Sequence, residues 1–141
     1  MPELDNLVRV GKLKAEPRND AEIGRLLAMA RTRLADARLT GASREGRFIS
    51  AYNAAHAAAL AALRWHGYRS DKRFMVFQCL PHTLEWPAAR WRVLDSAHQK
   101  RNLAEYEGTL EVEESGVAEL CALTEELIAD VARLVQPPKP K

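Results

Sequence analysis

The stretch "SAYNAAHAAALAAL", residues 50–63, decides the fold class of this 141-residue chain. Alanine is the best helix former, and these alanines leave almost no bulk on any side of a helix. Neighbouring helices can therefore approach this one closely, which predicts a long helix at the centre of a helical bundle. Ser43 is suited to cap its N-terminus and Gly67 its C-terminus.

Apolar residues recur at helical spacing on both sides of this helix. Asn19 and Glu22 resemble a capping box that opens an earlier helix, and Gly41 stops it. A short helix is expected in "RFMVFQCL", residues 73–80.

Two longer helices follow. One runs from Pro87 towards Gly108, and the other begins near Glu114 and continues to Leu134. The sequence thus predicts an all-α, single-domain helical bundle, with four helices in an up-and-down core and one short extra helix.

The chain length suits one domain with a single hydrophobic core. Residues 1–18 contain two prolines and a glycine and show little periodicity, which predicts an N-terminal arm. Residues 19–136 form the expected bundle. The last five residues, 137–141, read "PPKPK" and are predicted to be a disordered tail.

Composition limits the function classes. Hydrophobic residues make up 47% and charged residues 28% of the chain, which is typical of a soluble globular domain. No apolar run approaches the ~18 residues of a membrane span, and the N-terminus does not resemble a signal peptide. We therefore expect a cytoplasmic protein without a membrane partner. Cys79 and Cys121 lack metal-ligand spacing, so no metal site and no cofactor is predicted.

Polar chemistry is concentrated in "HQKRNLAEYEG", residues 98–108. On a helix, spacings of three and four place His98, Arg101 and Asn102 on one face, together with Glu105. Tyr106 joins this face through Asn102. Spacing alone is equally compatible with ordinary surface pairs worth ~0.3 to 0.5 kcal/mol each.

"KRNLAEYEG" at the end of one helix, preceded by a long helix with "SAYNAAHAAALAAL", resembles the HEPN domain family from about Asn19 to Val135. Residues 51–56 match the family's pattern of aromatic and small residues. A later helix in that family carries an arginine, a polar residue and, after a spacer of four to six residues, a histidine. Arg101 and Asn102 match the first two positions, and Tyr106 stands where the histidine is expected.

The resemblance implies a protein that acts on or binds RNA or a nucleotide. It could be the toxin-like, metal-independent ribonuclease of a toxin–antitoxin or defence system. It could equally be a non-catalytic HEPN module that partners a nucleotidyltransferase-type antitoxin or another protein. A homodimer is implied in each case, and a purely architectural dimer is a third alternative. Because a tyrosine replaces the histidine, the sequence leaves open whether the protein is an enzyme.

The chemistry of the side chains suggests a role for each candidate residue. Arg101 can hold a phosphate in fork geometry, and Lys100 can add positive charge. His98 lies one turn before Arg101 and titrates near neutral pH, so it can act as a base. Tyr106, with an ordinary pKa near ~10, suits hydrogen-bond donation better. The candidate catalytic residues are Arg101, Asn102, Tyr106 and His98, and the candidate phosphate-binding residues are Lys100 and Arg101.

Overall fold

A computed structural model describes residues 1–136, which form seven helices and one two-stranded antiparallel sheet. The elements in chain order are α1 (Pro2–Arg9), β1 (Lys14–Ala15), α2 (Asp20–Ala37), α3 (Arg44–Trp65), β2 (Tyr68–Arg69), α4 (Arg73–Gln78), α5 (Leu80–Thr83), α6 (Ala88–Glu107) and α7 (Glu114–Leu134). The predicted tail, residues 137–141, lies outside the described residues. The main bundle consists of α2, α3, α6 and α7, so the predicted all-α bundle is confirmed.

The alanine-rich helix α3 is the central element, as its composition predicts. It packs along α2 and α7 and also contacts α4, α5 and α6. Small side chains allow this close approach, and all eight alanines named by the pattern are buried: Ala51, Ala54, Ala55, Ala57, Ala58, Ala59, Ala61 and Ala62.

Side-chain caps fix where two of the long helices begin. The Glu22 backbone N–H donates to Asn19 Oδ1 over 3.0 Å at the start of α2, and the Gly46 N–H donates to Ser43 Oγ over 3.0 Å at the start of α3. At the C-terminal end of α6, Gly108 adopts a φ of +76°, a conformation that glycine accepts without strain.

The region after α3 differs from the prediction of one short helix. Two helices, α4 and α5, stand there, and they meet at Cys79. Pro81 lies in the first turn of α5, where its missing N–H removes no helical hydrogen bond. The proline therefore opens a second helix instead of only ending the first.

Residues 1–18, which the sequence predicts to be an arm, contain α1 and β1. Leu4 is fully buried and Leu13 nearly so, because both join the hydrophobic core. β1 pairs with β2, with Lys14 opposite Arg69. Within the described residues, no helix is both long and apolar enough to cross a membrane.

Candidate functional site

A hydrogen-bonded cluster links α3 to α6. His98 Nδ1 lies 2.7 Å from the Tyr52 hydroxyl oxygen, and His98 Nε2 lies 3.0 Å from the Asn102 amide nitrogen. Tyr52 is buried, whereas His98 and Asn102 are half-buried. We call Tyr52, His98 and Asn102 the tyrosine–histidine cluster.

Two guanidinium groups, from Arg73 and Arg101, lie beside this cluster, and we call them the arginine pair. The Arg73 and Arg101 guanidinium carbons are 5.4 and 5.6 Å from the centroid of the Tyr52 ring, within the range of cation–π attraction. Arg73 also donates to Asn53 Oδ1 over 2.8 Å, and Arg101 pairs with Glu105 over 3.0 Å. Helix α4 positions Arg73, and helix α6 positions Arg101.

Two hydrogen-bonding contacts relate the tautomer of His98 to the orientation of the Asn102 amide. With the Asn102 amide nitrogen donating to Nε2, a neutral imidazole carries its hydrogen on Nδ1 and donates it to the Tyr52 oxygen. Burial lowers the pKa of His98, and the charges of Arg101 and Arg73 lower it further, against the opposing effect of Asp95.

Two residues of α3, Tyr52 and His56, are uncharged near pH 7. Burial raises the pKa of Tyr52, although hydrogen bonding from Arg73 opposes this shift. Burial is also the main cause that lowers the pKa of His56 to about 4, and the charge of Arg73 adds to it. The His56 ring packs edge-on against Phe77 at 6.0 Å. Both side chains therefore stay neutral near pH 7.

The structure brings three of the predicted site residues together, His98, Arg101 and Asn102. It does not bring Lys100 or Tyr106 to them. Lys100 is exposed on the side of α6 that faces α7, because two residues along a helix turn the side chain about 200° away from His98. Tyr106 belongs to the last turn of α6, and 92% of it is exposed to solvent.

The sequence patterns did not identify the site residues that α3 and α4 supply. Arg73 and Phe74 open α4, whose short apolar pattern gives no sign of a site. Tyr52 and Asn53 have a clearer signal, since they are the two adjacent polar side chains in an alanine-rich helix. Their partners on α4 and α6 are 20 or more residues away in the chain, so only the fold reveals the contacts.

The arrangement is suited to binding an anion. Two guanidinium groups lie near the Tyr52 ring, and the Tyr52 hydroxyl contacts the imidazole of His98. The carboxylate that pairs with Arg101, Glu105, is largely exposed, and the charge of Asp95 also acts on His98. Each guanidinium carries five N–H donors in fork geometry, more than its protein partners use.

Within residues 1–136, no group of three or more histidine, cysteine, aspartate or glutamate side chains is arranged to hold a metal ion. Comparison of the chain with protein-family models, curated proteins and solved structures gave no significant match.

Proposed function

We propose that this protein is a HEPN-type helical module that binds a phosphate group of RNA or of a nucleotide. The observation that carries the proposal is the arginine pair, which two separate helices place against the Tyr52 ring.

The positive charges of Arg73 and Arg101 favour a phosphate as the bound group over a carboxylate or a neutral group. A phosphate offers several acceptor oxygens, which match the forked donors of Arg73 and Arg101 and the hydroxyl of Tyr52. Partial burial of the cluster lowers the local dielectric and so strengthens each contact. Such a site binds its ligand without a metal ion.

Ribonuclease activity is the second candidate function, and the neutral imidazole of His98 favours it. In this reaction the ribose 2′-oxygen attacks the adjacent phosphorus, its proton passes to His98 Nε2, and the 5′-oxygen leaves with a proton from water. Asn102 occupies Nε2 in this structure, so its amide has to move before the nitrogen can accept a proton. Binding needs no such movement and is therefore the first proposal.

The remaining parts of the proposal rest on the family resemblance alone. They are the homodimer, the nucleotidyltransferase-type partner, and a role in a toxin–antitoxin or defence system. Lys100 and Tyr106 are exposed on α6, so an RNA that extends beyond the arginine pair can contact them.

The test is binding of a short single-stranded RNA by the wild type, Arg73→Ala and Arg101→Ala at low salt. Arg25→Ala is the matched control, because it removes the same charge from an exposed position on α2. We expect each site variant to weaken binding about tenfold or more, the worth of a charge-assisted hydrogen bond. The control should bind like the wild type.

The same preparations, incubated with RNA in EDTA, separate binding from cleavage. Cleavage by the wild type that is lost in Arg101→Ala would favour the ribonuclease. Equal RNA affinity of the wild type and both site variants would contradict the phosphate site altogether.

A further inference from the structure

A cavity of about 260 Å³ lies between the N-terminal segment and the start of α4. Its walls come from the turn before β1, the end of β2 and the first turns of α4. Leu13, Phe74 and Met75 supply the apolar part of the lining. Lys12, Lys14 and Lys72 supply positive charge at the same cavity.

Phe74 connects this cavity to the proposed phosphate site. Its ring lines the cavity, and its centroid is 6.3 Å from the His98 ring centroid. Arg73, the preceding residue, belongs to the arginine pair, and consecutive Cα atoms are only ~3.8 Å apart. Phe74 therefore belongs to the cavity lining and also lies beside His98 of the tyrosine–histidine cluster, so the cavity and the proposed phosphate site meet at this side chain.

We propose that the cavity holds the base of the nucleotide whose phosphate is bound by the arginine pair. This inference rests on the proposed function and names its ligand as a nucleoside phosphate. Phe74 is 37% exposed and lines the cavity, so its ring is accessible to a base that stacks on it.

The size and charge of the cavity fit this ligand. Sites for drug-sized molecules span roughly 300 to 1,000 Å³, so this cavity suits one nucleobase better than a longer ligand. Arg69 also lines it, but the carboxylates of Glu16 and Glu22 hold its guanidinium. The three lysines, with Asp71 as the acidic residue of the lining, leave the cavity positively charged.

Local contacts hold two walls of the cavity in place. The Lys72 backbone N–H donates to Ser70 Oγ over 3.1 Å, which fixes the turn into α4. The pairing of Lys14 with Arg69 fixes the opposite wall. A preformed site avoids part of the ordering cost of binding.

The experiment compares four probes by calorimetry at low salt: adenosine monophosphate, uridine monophosphate, ribose 5-phosphate and adenosine. We expect at least one nucleotide to bind about tenfold more tightly than ribose 5-phosphate, because base stacking on an aromatic ring is worth roughly that factor. Phe74→Leu should remove this advantage and leave the affinity for ribose 5-phosphate unchanged. Phe74→Tyr, which keeps the ring, should restore it.

The outcomes separate this inference from the proposed function. If ribose 5-phosphate binds as tightly as both nucleotides, the base does not enter the cavity, although the phosphate site stands. If neither nucleotide nor ribose 5-phosphate binds, and Arg73→Ala changes nothing, both the phosphate site and the base cavity are wrong. Circular dichroism and the thermal unfolding midpoint of each Phe74 variant establish that a lost affinity is not lost folding.

Discussion

At the scale of single residues, His56 has a strongly shifted pKa that affects stability near neutral pH. Its pKa falls from 6.5 to about 4, mainly because the ring is buried beside Phe77. Between these two values the unfolded chain carries the proton on His56 and the folded protein does not. Stability conferred by the neutral ring is therefore complete above pH 6.5 and is lost as the pH falls towards 4.

We predict that the free energy of unfolding drops by about 2 kcal/mol between pH 7 and pH 5 because of His56. The lowered pKa of His98 adds to this loss in the same direction. In His56→Gln, which cannot titrate, most of the loss should disappear. Urea unfolding at the two pH values measures it, with each protein's pH 7 value as its own reference. A variant that loses as much stability as the wild type would contradict the assignment to His56.

Residue-scale patterns predicted only part of the site. The spacing of His98, Arg101 and Asn102 placed them on one helix face, and the structure confirms that they lie together. The same spacing rule predicted Tyr106 on that face, but spacing gives only the direction of a side chain around α6. It does not show whether another helix lies beside that turn, and Tyr106 is exposed. No sequence pattern predicted Arg73 as a site residue, because it contacts the cluster only through tertiary packing.

At the scale of secondary-structure elements, Arg64 fastens the N-terminal segment to α3. It is 1% exposed, and it donates to Glu22 over 2.6 Å and to the Glu16 carbonyl over 2.9 Å. The Pro17 and Tyr68 carbonyls accept further hydrogen bonds. One buried guanidinium thus satisfies acceptors from three parts of the chain. It holds residues 16 and 17 against α3, in addition to the burial of Leu4 and Leu13 in the core.

We predict that Arg64→Met destabilises the protein by about 3 kcal/mol, because it leaves several acceptors without their donor. Arg64→Lys should be nearly as costly, since an ammonium cannot match the planar fork. Trypsin should cut both variants faster than the wild type at Lys12, Lys14 or Arg18. The control is Arg25→Met on the exposed side of α2.

Wild-type cleavage rates in the Arg64 variants would show that the β1–β2 pairing holds the segment without this residue.

Most of the element boundaries could be predicted because they depend on local chemistry. The Asn19 and Ser43 caps and the Gly108 C-cap each act within one turn of their helix. The hydrogen bonds of Arg64 to Glu16 and Pro17 join residues about 50 positions apart, so no local sequence pattern predicts them.

At the scale of the whole molecule, charge is nearly balanced, with a formal net charge of +2. Long-range attraction of RNA by the protein as a whole is consequently weak. Binding should instead depend on the direct contact between phosphate and the arginine pair. The salt dependence of RNA affinity therefore reports on the arginine pair rather than on the rest of the protein surface.

For a single-stranded RNA of which the arginine pair contacts one phosphate, the logarithm of the affinity should fall with the logarithm of the salt concentration at a slope of about −0.7. Arg73→Ala leaves that phosphate with a single guanidinium, so its slope should be shallower, whereas Arg25→Ala should keep the wild-type slope. Fluorescence anisotropy over a series of salt concentrations gives all three values. A slope that is steep and equal in the three proteins would mean that RNA is held by scattered surface cations. The convergence of Arg73 and Arg101 on Tyr52 would then serve the packing of α4 and α6 against α3.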